Sequence, residues 1–576
     1  MQSARALLCA LLTALCGCED RESVPAFLEG SVHPTLLAHT AEFERKVYEV
    51  TEGVHLAVGY GLANSILVEG DACAFVVDVM GSVPAARAVK QAFDEITDKP
   101  IRALVYTHNH ADHVFGGRGF VPDGPVDVYA HETTEYYINR VVSIIRPIIS
   151  LRSSRMFGNY LPPEGADAFV NAGIGPALEI GGPGQTLSLI RPNKTFSDEL
   201  RVAICGVDVH LVHAPGETND QLFVWLPEKK LLMPGDNVYR AFPNLYTIRG
   251  TLYRDVMDWV RSIDSMRALH PEHLAPSHTR PVSGAERIQE ILTAYRDAIQ
   301  YVHDQTIRGM NMGLTPDELV EFVELPPHLR DHPYLLELYG TVEWSVRSIF
   351  TGYLGWFDGD AASLSPANPE ERARGFAQLA GGRDALLTAA RSALDERRYA
   401  WAAELAGQLL RLDPNSNEVR ELKASALRAL GERSVSPNGR NFYLTQAREL
   451  EGSVSIDPGE GVDESVRSVA MSIPIGNFMA AMPSHLDPRR SADADTVVGF
   501  RFPDVQESYS IHVRRGVAEL QPVFPEQPDV AITTDSGVWR EVVLGLRNPA
   551  LALASGAIEI DGGALDLVAF LSWFSE

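Results

Sequence analysis

The heptapeptide THNHADH at residues 107–113 constrains this chain more than any other stretch of its sequence. It follows directly on the apolar run IRALVY, which is typical of a buried strand. His108 and His110 lie two apart on extended backbone and project to one side, while Asp112 and His113 follow as the chain turns toward a helix. Such an array can present imidazoles to one metal ion and a carboxylate–imidazole pair to a second. The motif therefore predicts a metal site at a strand end, and the alternative is a solvated histidine cluster.

Zinc is the metal that this motif favours, because the motif offers imidazole and carboxylate ligands and no thiolate. Iron or manganese would accept the same ligands. The order of the ligands makes a site for two zinc ions per chain the working hypothesis.

The length and charge of the chain limit what surrounds such a site. A chain of 576 residues is too long for one hydrophobic core, so we expect two to four domains. The formal net charge of −26 argues against nucleic acid or an anionic membrane surface as a broad partner, because both need basic patches. An anionic substrate would need a local exception to this charge.

The first 18 residues have the pattern of an export signal. An apolar core from Ala6 to Cys16 follows one arginine and is too short to span a bilayer. The end of this segment, LCGC, also resembles the lipobox of bacterial lipoproteins, in which the cysteine, here Cys18, is lipidated. Ordinary cleavage with Cys18 incidental is the alternative. We expect an exported protein that is either periplasmic or anchored to a membrane through lipid.

The remaining cysteines are few. Three of the five lie in the leader, which leaves Cys73 and Cys205 in the body of the chain. One bridge between them is permitted in an oxidising compartment, but spacing cannot establish it. We favour two small, buried, unpaired side chains.

Short β-rich runs alternate with helical ones from about residue 42 to residue 281. Runs such as NSILVEG, CAFVVDVM and LFVWLP predict strands, and VPAARAVKQAFDEI has helical spacing. This alternation predicts an α/β layered domain, to which we assign residues 30–283.

The pattern changes twice after this domain. Residues 284–435 are largely helical and include an Ala-rich pair of helices of tetratricopeptide type. The stretch RSVSPNGRN then predicts a linker. Mixed strand and helix patterns after it predict a smaller α+β domain over residues 445–576.

The motif THNHADH resembles the signature loop of the metallo-β-lactamase superfamily, whose fold is an αββα sandwich. Further candidate ligands follow in the order of that superfamily. Glu217 in HAPGETNDQ stands where the superfamily usually has a histidine after Pro-Gly. Asp236 in LLMPGDN has the position of the bridging carboxylate, and His278 in LAPSHTRP that of the last ligand.

A narrower resemblance comes from the Pro-Gly-Glu variant, from PNLYTIRG and from LYGTVEWSVRSIFTGYLGWFDGD. These stretches are similar to the alkylsulfatases of the SDS-hydrolase type. That resemblance implies three parts: a catalytic sandwich, an all-α dimerisation domain that forms a homodimer, and a C-terminal α+β domain resembling sterol-carrier proteins. The sequence departs from the family pattern, because Glu217 directly follows Gly216 and position 236 is an aspartate rather than a glutamate.

The resemblance also implies roles for the site residues. His108, His110 and Glu217 would hold one zinc ion, and Asp112, His113 and His278 the other. Asp236 would bridge the two ions. Asp112, Asp236 and Arg249 would be the catalytic residues.

A charge count then points to the substrate group. Two divalent ions carry four positive charges, which three carboxylates and a hydroxide offset. A sulfate ester would therefore need a separate cation, and Arg249 in YTIRG offers the planar fork that suits an oxyanion. Tyr246 and Asn244 could add hydrogen bonds. The alternative for Arg249 is a salt bridge in a loop.

The sequence as a whole predicts a dizinc hydrolase that cleaves alkyl sulfates to alcohol and sulfate. One alternative is another hydrolase of esters, lactones or thioesters on the same scaffold. The other is a lipid-binding lipoprotein with structural zinc. The roles of three further residues have two interpretations each. Asp78 either ties loops beneath the site or lies in a surface turn. Arg152 and Arg155 either face the active-site entrance or lie on a solvated helix face.

Overall fold

Two β-sheets packed face to face form the N-terminal part of the protein. The computed structural model describes residues 30–178, 180, 185–456, 471 and 473–574. Cys18 and the predicted export signal lie outside the described residues. The first sheet contains, in spatial order, β1 Lys46–Thr51, β2 Val54–Val58, β3 Ser65–Glu69, β4 Ala74–Val77, β5 Ile101–Val105, β6 Asp127–His131 and β7 Lys194–Phe196. The second contains β8 Glu199–Ile204, β9 Val207–His213, β10 Leu222–Leu226, β11 Leu231–Met233, β12 His273–Leu274 and β13 Val282–Ser283, also in spatial order.

The helices of this part are α1 Pro34–His39, α2 Val83–Asp94, α3 Ala111–Val114, α4 Gly117–Phe120, α5 Thr134–Ile144, α6 Arg146–Met156 and α7 Val256–Ala268. Helices α2 to α5 pack on the outer face of the first sheet and α7 packs on the second, while α1 and α6 join a further core with residues of the helical part. Alternate side chains of β10 show the layering: Leu222 and Val224 pack between the sheets, while Phe223 packs outward with Trp259 of α7. Because its central strands, such as β4 and β10, are buried on both faces, this part is the αββα sandwich that the sequence predicts.

The loops that carry the predicted metal ligands lie at one edge of the sandwich. Strands β4, β5 and β6 are parallel, so the residues after β4 and β5 leave the first sheet together. In the second sheet β9 and β11 both run antiparallel to β10, and β12 is parallel to β11. The chain therefore leaves β9, β11 and β12 at a common edge, which is where ligands bind in open α/β sheets.

A helical part follows the sandwich and packs against it. Its helices are α8 Ala285–Asn311, α9 Pro316–Phe322, α10 Pro327–Arg330, α11 Val342–Leu354, α12 Pro369–Ala380, α13 Arg383–Asp395, α14 Tyr399–Leu412, α15 Asn417–Arg433 and α16 Pro437–Leu450. Tyr295 and Ile299 of α8 belong to the same hydrophobic core as Trp259. The helical part and the sandwich thus share buried surface.

The linker predicted from RSVSPNGRN is wrong. Residues 437–450 form α16, and Asn438, Arg440 and Asn441 at its start are buried. The Arg440 guanidinium donates a hydrogen bond to the Ala168 carbonyl at 2.8 Å. Proline and glycine there read as a loop, but Pro437 occupies the first turn of a helix, where no amide hydrogen bond is lost. The helical part therefore continues beyond residue 435, where the sequence placed its end.

The C-terminal part is an α+β unit with its own hydrophobic core. Its strands are β14 Asp495–Phe502, β15 Glu507–Arg514, β16 Val517–Gln521, β17 Val530–Thr534 and β18 Ile558–Asp561, in the sheet order β16-β15-β14-β17-β18. Its helices are α17 Ile475–Ala481, α18 Ser536–Val543, α19 Pro549–Ala554 and α20 Ala564–Ser572. Phe500, Trp539 and Phe570 fill its core. Among the described residues, no helix is both long and apolar enough to cross a membrane.

Cys73 and Cys205 form a disulfide bond, so the expectation of two unpaired side chains is wrong. Cys73 precedes β4 in the first sheet, and Cys205 lies in the turn between β8 and β9 in the second. The Asp71 amide donates a hydrogen bond to the Cys205 carbonyl at 2.9 Å, which holds the two turns together. The pairing follows from sheet packing, which a separation of 132 residues along the chain does not reveal.

Candidate metal centre

All seven predicted metal ligands converge where the loops leave the two sheets. His108, His110, Asp112 and His113 follow β5 and enter α3, whose first residue is Ala111. The other three follow strands of the second sheet: Glu217 comes after β9, Asp236 after β11 and His278 after β12. We call Asp112, His113 and His278 the inner half of the cluster, and His108, His110 and Glu217 the outer half.

The inner half is a tight group. Ligand atoms of Asp112, His113 and His278 lie within 4.8 Å of one another. The Asp112 Oδ2 atom is 3.3 Å from His113 Nε2 and 3.6 Å from His278 Nε2. Asp236 Oδ2 lies 3.1 Å from His278 Nε2 and 3.5 Å from His113 Nε2. The structure thus brings this predicted trio together with the predicted bridging carboxylate.

The outer half groups differently from the prediction. His110 and Glu217 share a potential ligand group with Asp236, whereas His108 groups with His113 and Asp236. His108 Nε2 is 2.8 Å from His110 Nδ1 and 3.6 Å from Asp236 Oδ2. Asp236 therefore links the two halves, which is the place the sequence assigns to a bridging ligand.

Several features of the cluster fit divalent cations. The His113 Nε2 and Asp236 Oδ1 atoms are buried and have no hydrogen-bond partner among the described residues. Buried polar atoms normally have partners, so these two atoms suit a cation. Burial, reinforced by the nearby His113, lowers the pKa of His108 to about 4. Its imidazole is thus neutral, as a metal ligand must be.

Asp78 fixes the inner half from beneath. Its carboxylate accepts hydrogen bonds from the Thr107 amide at 2.9 Å, from the Thr107 hydroxyl at 3.0 Å and from the Ser277 hydroxyl at 2.7 Å. It also accepts from His113 Nδ1 at 2.8 Å, which leaves Nε2 of that ring for a metal ion. The interpretation that Asp78 ties loops beneath the site is confirmed. His278 is oriented in the same way by the Leu62 carbonyl, at 2.8 Å from its Nδ1 atom.

Arg249 lies against the outer half, as its predicted role requires. Its Nη2 atom is 2.9 Å from His110 Nε2, and the side chain borders both clefts described below. Asn244 is also buried, and its backbone amide donates a hydrogen bond to the Tyr239 hydroxyl at 2.9 Å. Neither Asn244 nor Tyr246 is among the residues that line the two clefts. Their substrate contacts therefore stay predictions.

Arg254 is a charged residue of the site that the sequence did not indicate. Its Nη1 atom is 2.8 Å from Glu217 Oε1, and both side chains are buried. Tyr239 contacts the other carboxylate oxygen, with its hydroxyl 3.4 Å from Glu217 Oε2. The sequence offered only the general expectation that a buried glutamate pairs with a cation. Only the fold shows which arginine supplies that cation.

Two adjoining clefts open onto the cluster. The first has Asp112, Asp236 and Arg249 at its polar end. Its apolar wall is formed by Phe115, Ile138, Val141, Ile149, Phe157 and Ile174. The polar residues in the lining of the second are Arg140, Glu217, Thr218, Asn219, Arg249 and Arg254.

Arg152 and Arg155 of α6 bind neighbouring parts of the protein instead of facing an open entrance to the site. The Arg152 guanidinium donates to the Ile248 carbonyl, at 2.6 Å from Nη2. Arg155 pairs with Glu449 of α16 at 2.8 Å. These two residues thus attach α6 to its neighbours.

Sequence models of three protein families match successive parts of the chain. The metallo-β-lactamase superfamily matches residues 58–278, the alkyl sulfatase dimerisation region matches residues 315–453, and the alkyl sulfatase C-terminal region matches residues 464–576. The match to the dimerisation region includes α16, in agreement with its helical packing.

Curated proteins and a solved structure are similar over most of their length. A linear primary-alkylsulfatase from Pseudomonas sp. is 40% identical over 521 residues, which cover 88% of this chain and 98% of the relative. An alkyl/aryl-sulfatase of Saccharomyces cerevisiae is 27% identical over 92% of this chain and 82% of its own. The structure of a stereoselective inverting sec-alkylsulfatase from Pseudomonas sp. superposes with a TM-score of 0.88 at 26% identity, covering 95% of this chain and 87% of that one.

Proposed function

This chain belongs to the alkylsulfatase family of the metallo-β-lactamase superfamily, and from that premise we propose that it hydrolyses alkyl sulfate esters to an alcohol and inorganic sulfate. The observation that carries the proposal is the first cleft. It joins an apolar wall to a polar end that holds metal-ligand candidates and Arg249. An alkyl sulfate has the matching division into an apolar chain and an anionic head group.

Different residues of the cleft bind the alkyl chain and the sulfate group in this proposal. Ile138, Val141 and Ile149 offer apolar surface to the alkyl chain, whose burial contributes about 0.8 kcal/mol for each CH₂ group. Arg249 offers guanidinium N–H groups to the sulfate oxygens. This cation is the local exception that an anionic substrate needs in a chain of net charge −26.

We assign two zinc ions to the cluster. Four imidazoles and three carboxylates without thiolate suit zinc, and the sharing of Asp236 between ligand groups supports two ions. Bound metal ions would supply Lewis-acid charge and lower the pKa of water in the site. The protein's part is to hold the ligand rings by Asp78 and the Leu62 carbonyl, and to hold the sulfate group by Arg249.

The test is sulfate release from a series of alkyl sulfates of increasing chain length. We expect turnover that chelation abolishes and that re-addition of zinc restores, with two zinc ions per chain by elemental analysis. An uncharged ester of matched chain length is the control. Faster hydrolysis of that ester than of any alkyl sulfate would favour another hydrolase on this scaffold, and two zinc ions without any hydrolysis would favour a lipid-binding protein.

We also propose that the protein is a homodimer. The match of residues 315–453 to the alkyl sulfatase dimerisation region supports this. Exposed apolar residues at the end of α11 agree with it, because Trp356 is 71% exposed and Leu354 is 56% exposed. Light scattering of the purified protein should give twice the chain mass, and Trp356→Glu should shift it toward the monomer.

An exported, lipid-anchored protein is the matching proposal for location. The sequence of residues 1–18 supports it, and a disulfide between Cys73 and Cys205 suits an oxidising compartment. Labelling with a palmitate analogue in a bacterial host should modify the wild type and not Cys18→Ser. Labelling of both proteins would contradict the anchor at Cys18.

A further inference from the structure

A buried ion pair joins Glu217, a predicted metal ligand, to Arg254, which has no part in the function proposed above. Both residues are 2% exposed, and Arg254 Nη1 lies 2.8 Å from Glu217 Oε1. Both also line the second cleft beside the cluster. The pair therefore connects a predicted metal ligand to the pocket in which an anionic group would lie.

The carboxylate at 217 creates a physical problem that a histidine would not. Glu217 shares its potential ligand group with a second carboxylate, Asp236. Two buried carboxylates repel each other, and a buried charge without a partner is strongly destabilising. A neutral imidazole at this position would cause neither cost. A carboxylate here carries a charge that the histidine of the superfamily pattern does not, and Arg254 is the cation that contacts it.

Arg254 is held where it can meet that need. It lies just before α7, and Asp255 caps that helix by accepting hydrogen bonds from the amides of Met257 and Asp258. Its Nη1 atom also donates to the Asn244 carbonyl. Its Nε and Nη2 atoms are buried without a hydrogen-bond partner among the described residues. The guanidinium thus has one side on Glu217 and further N–H groups in a cleft-lining position.

We propose that Arg254 is a positioning residue whose ion pair allows a carboxylate to replace histidine at 217 and orients that carboxylate toward the metal centre. Arg254 and Glu217 then form one functional unit: neither substitution is tolerated alone, while histidine at 217 removes the requirement for arginine at 254. This inference rests on the proposed metal-dependent function and adds to it the coupling between the two positions.

A double-mutant cycle tests the unit. The proteins are the wild type, Glu217→His, Arg254→Met and the double variant, with Arg254→Lys as the conservative change. Metal affinity is measured by zinc titration against a competing chelator, and ligand geometry by the visible spectrum of the cobalt-substituted protein. We expect Arg254→Met to weaken binding of one metal ion by about 10- to 100-fold and to alter the cobalt spectrum. The double variant should bind that ion about tenfold more tightly than Arg254→Met alone.

The conservative variant and a remote pair separate positioning from folding. Arg254→Lys keeps a cation without the fork, so we expect it to restore most of the lost affinity. Arg428→Met breaks a distant pair in which Arg428 Nε lies 2.8 Å from Asp167 Oδ1, and it should lower thermal stability while leaving zinc affinity and cobalt spectrum unchanged.

Two results would overturn the proposal: wild-type metal affinity in Arg254→Met, or a double variant whose loss equals the sum of the single losses. If Arg254→Met does not fold, Arg254→Lys takes its place in the cycle. The proposal is then overturned if Arg254→Lys loses metal affinity and the addition of Glu217→His to that variant restores none of it. Neither readout requires sulfate release. A wild-type protein that binds zinc but cleaves no alkyl sulfate would therefore refute the proposed function and leave this coupling to be judged by itself.

Discussion

The inner and outer halves of the metal cluster differ in what lies behind their ligands. In the inner half, His113 and His278 donate to acceptors of the scaffold, the Asp78 carboxylate and the Leu62 carbonyl. In the outer half, His110 and Glu217 face the guanidinium groups of Arg249 and Arg254. One half is thus supported by acceptors, and the other is in contact with cations.

This difference separates two tasks. An acceptor behind an imidazole strengthens the ring as a metal ligand, so the inner half is built to retain a cation. The guanidinium of Arg249, which contacts an imidazole, repels a nearby metal ion and is favourably placed only if an anion also occupies the pocket, whereas the guanidinium of Arg254 is already paired with Glu217. The comparison therefore predicts that the scaffold behind the inner half contributes most to metal retention, and that Arg249 beside the outer half binds the sulfate group.

The largest expected effect comes from removing the cation of the outer half. Arg249→Ala removes charge-assisted hydrogen bonds to sulfate, and we expect kcat/KM for an alkyl sulfate to fall by about 100-fold, or about 3 kcal/mol. Zinc content should stay at the wild-type level, because Arg249 is not a ligand. Steady-state kinetics on an alkyl sulfate and on an uncharged ester of equal chain length measures the effect. An equal loss on both esters would contradict the assignment of sulfate recognition to this half.

A smaller effect of the opposite kind is expected in the inner half. Asp78→Asn keeps a hydrogen-bond acceptor for His113 but removes the negative charge, so we expect metal affinity to fall by about tenfold. KM for alkyl sulfate, measured with saturating zinc, should be unchanged. Chelator competition and kinetics on the same preparation check both statements. A raised KM with normal zinc affinity would reverse the comparison.

The smallest effect concerns a histidine that belongs to neither half. His39 of α1 is buried and donates to the Gly173 carbonyl at 2.8 Å. Burial lowers its pKa from 6.5 to about 4, and the hydrogen bond offsets only part of this shift. On acidification, the unfolded chain therefore takes up a proton that the folded protein does not. Stability should fall as pH drops from about 6.5 toward 4, with no contribution from this residue above that window.

His39→Gln tests this pH dependence, because glutamine can still donate to the Gly173 carbonyl but does not titrate. Urea unfolding at pH 7.5 and at pH 5 should show a smaller loss of stability in the variant than in the wild type. Zinc affinity at pH 7.5 should not change. An identical pH dependence in both proteins would show that acid sensitivity arises elsewhere, including at the metal ligands.

Much of the fold could be predicted because its strands and helices have strong local patterns. The strands β4 and β10 are continuous apolar runs, as expected where both faces of a strand are buried. The start of α16 could not be predicted in this way, because its asparagines, glycine and arginine favour loops by local propensity. Tertiary contacts of Arg440 and Asn441 with the sandwich override that propensity.

The sequence by itself determined the metal-binding loop, because its ligands are close together and their spacing alone places them at a strand end. It also determined the order of the later ligands, through resemblance to a family pattern. Only the tertiary structure decided that Arg254 pairs with Glu217, that Cys73 pairs with Cys205, and that His108 groups with His113. These pairings join residues brought together by sheet packing, or depend on side-chain directions that local spacing does not fix.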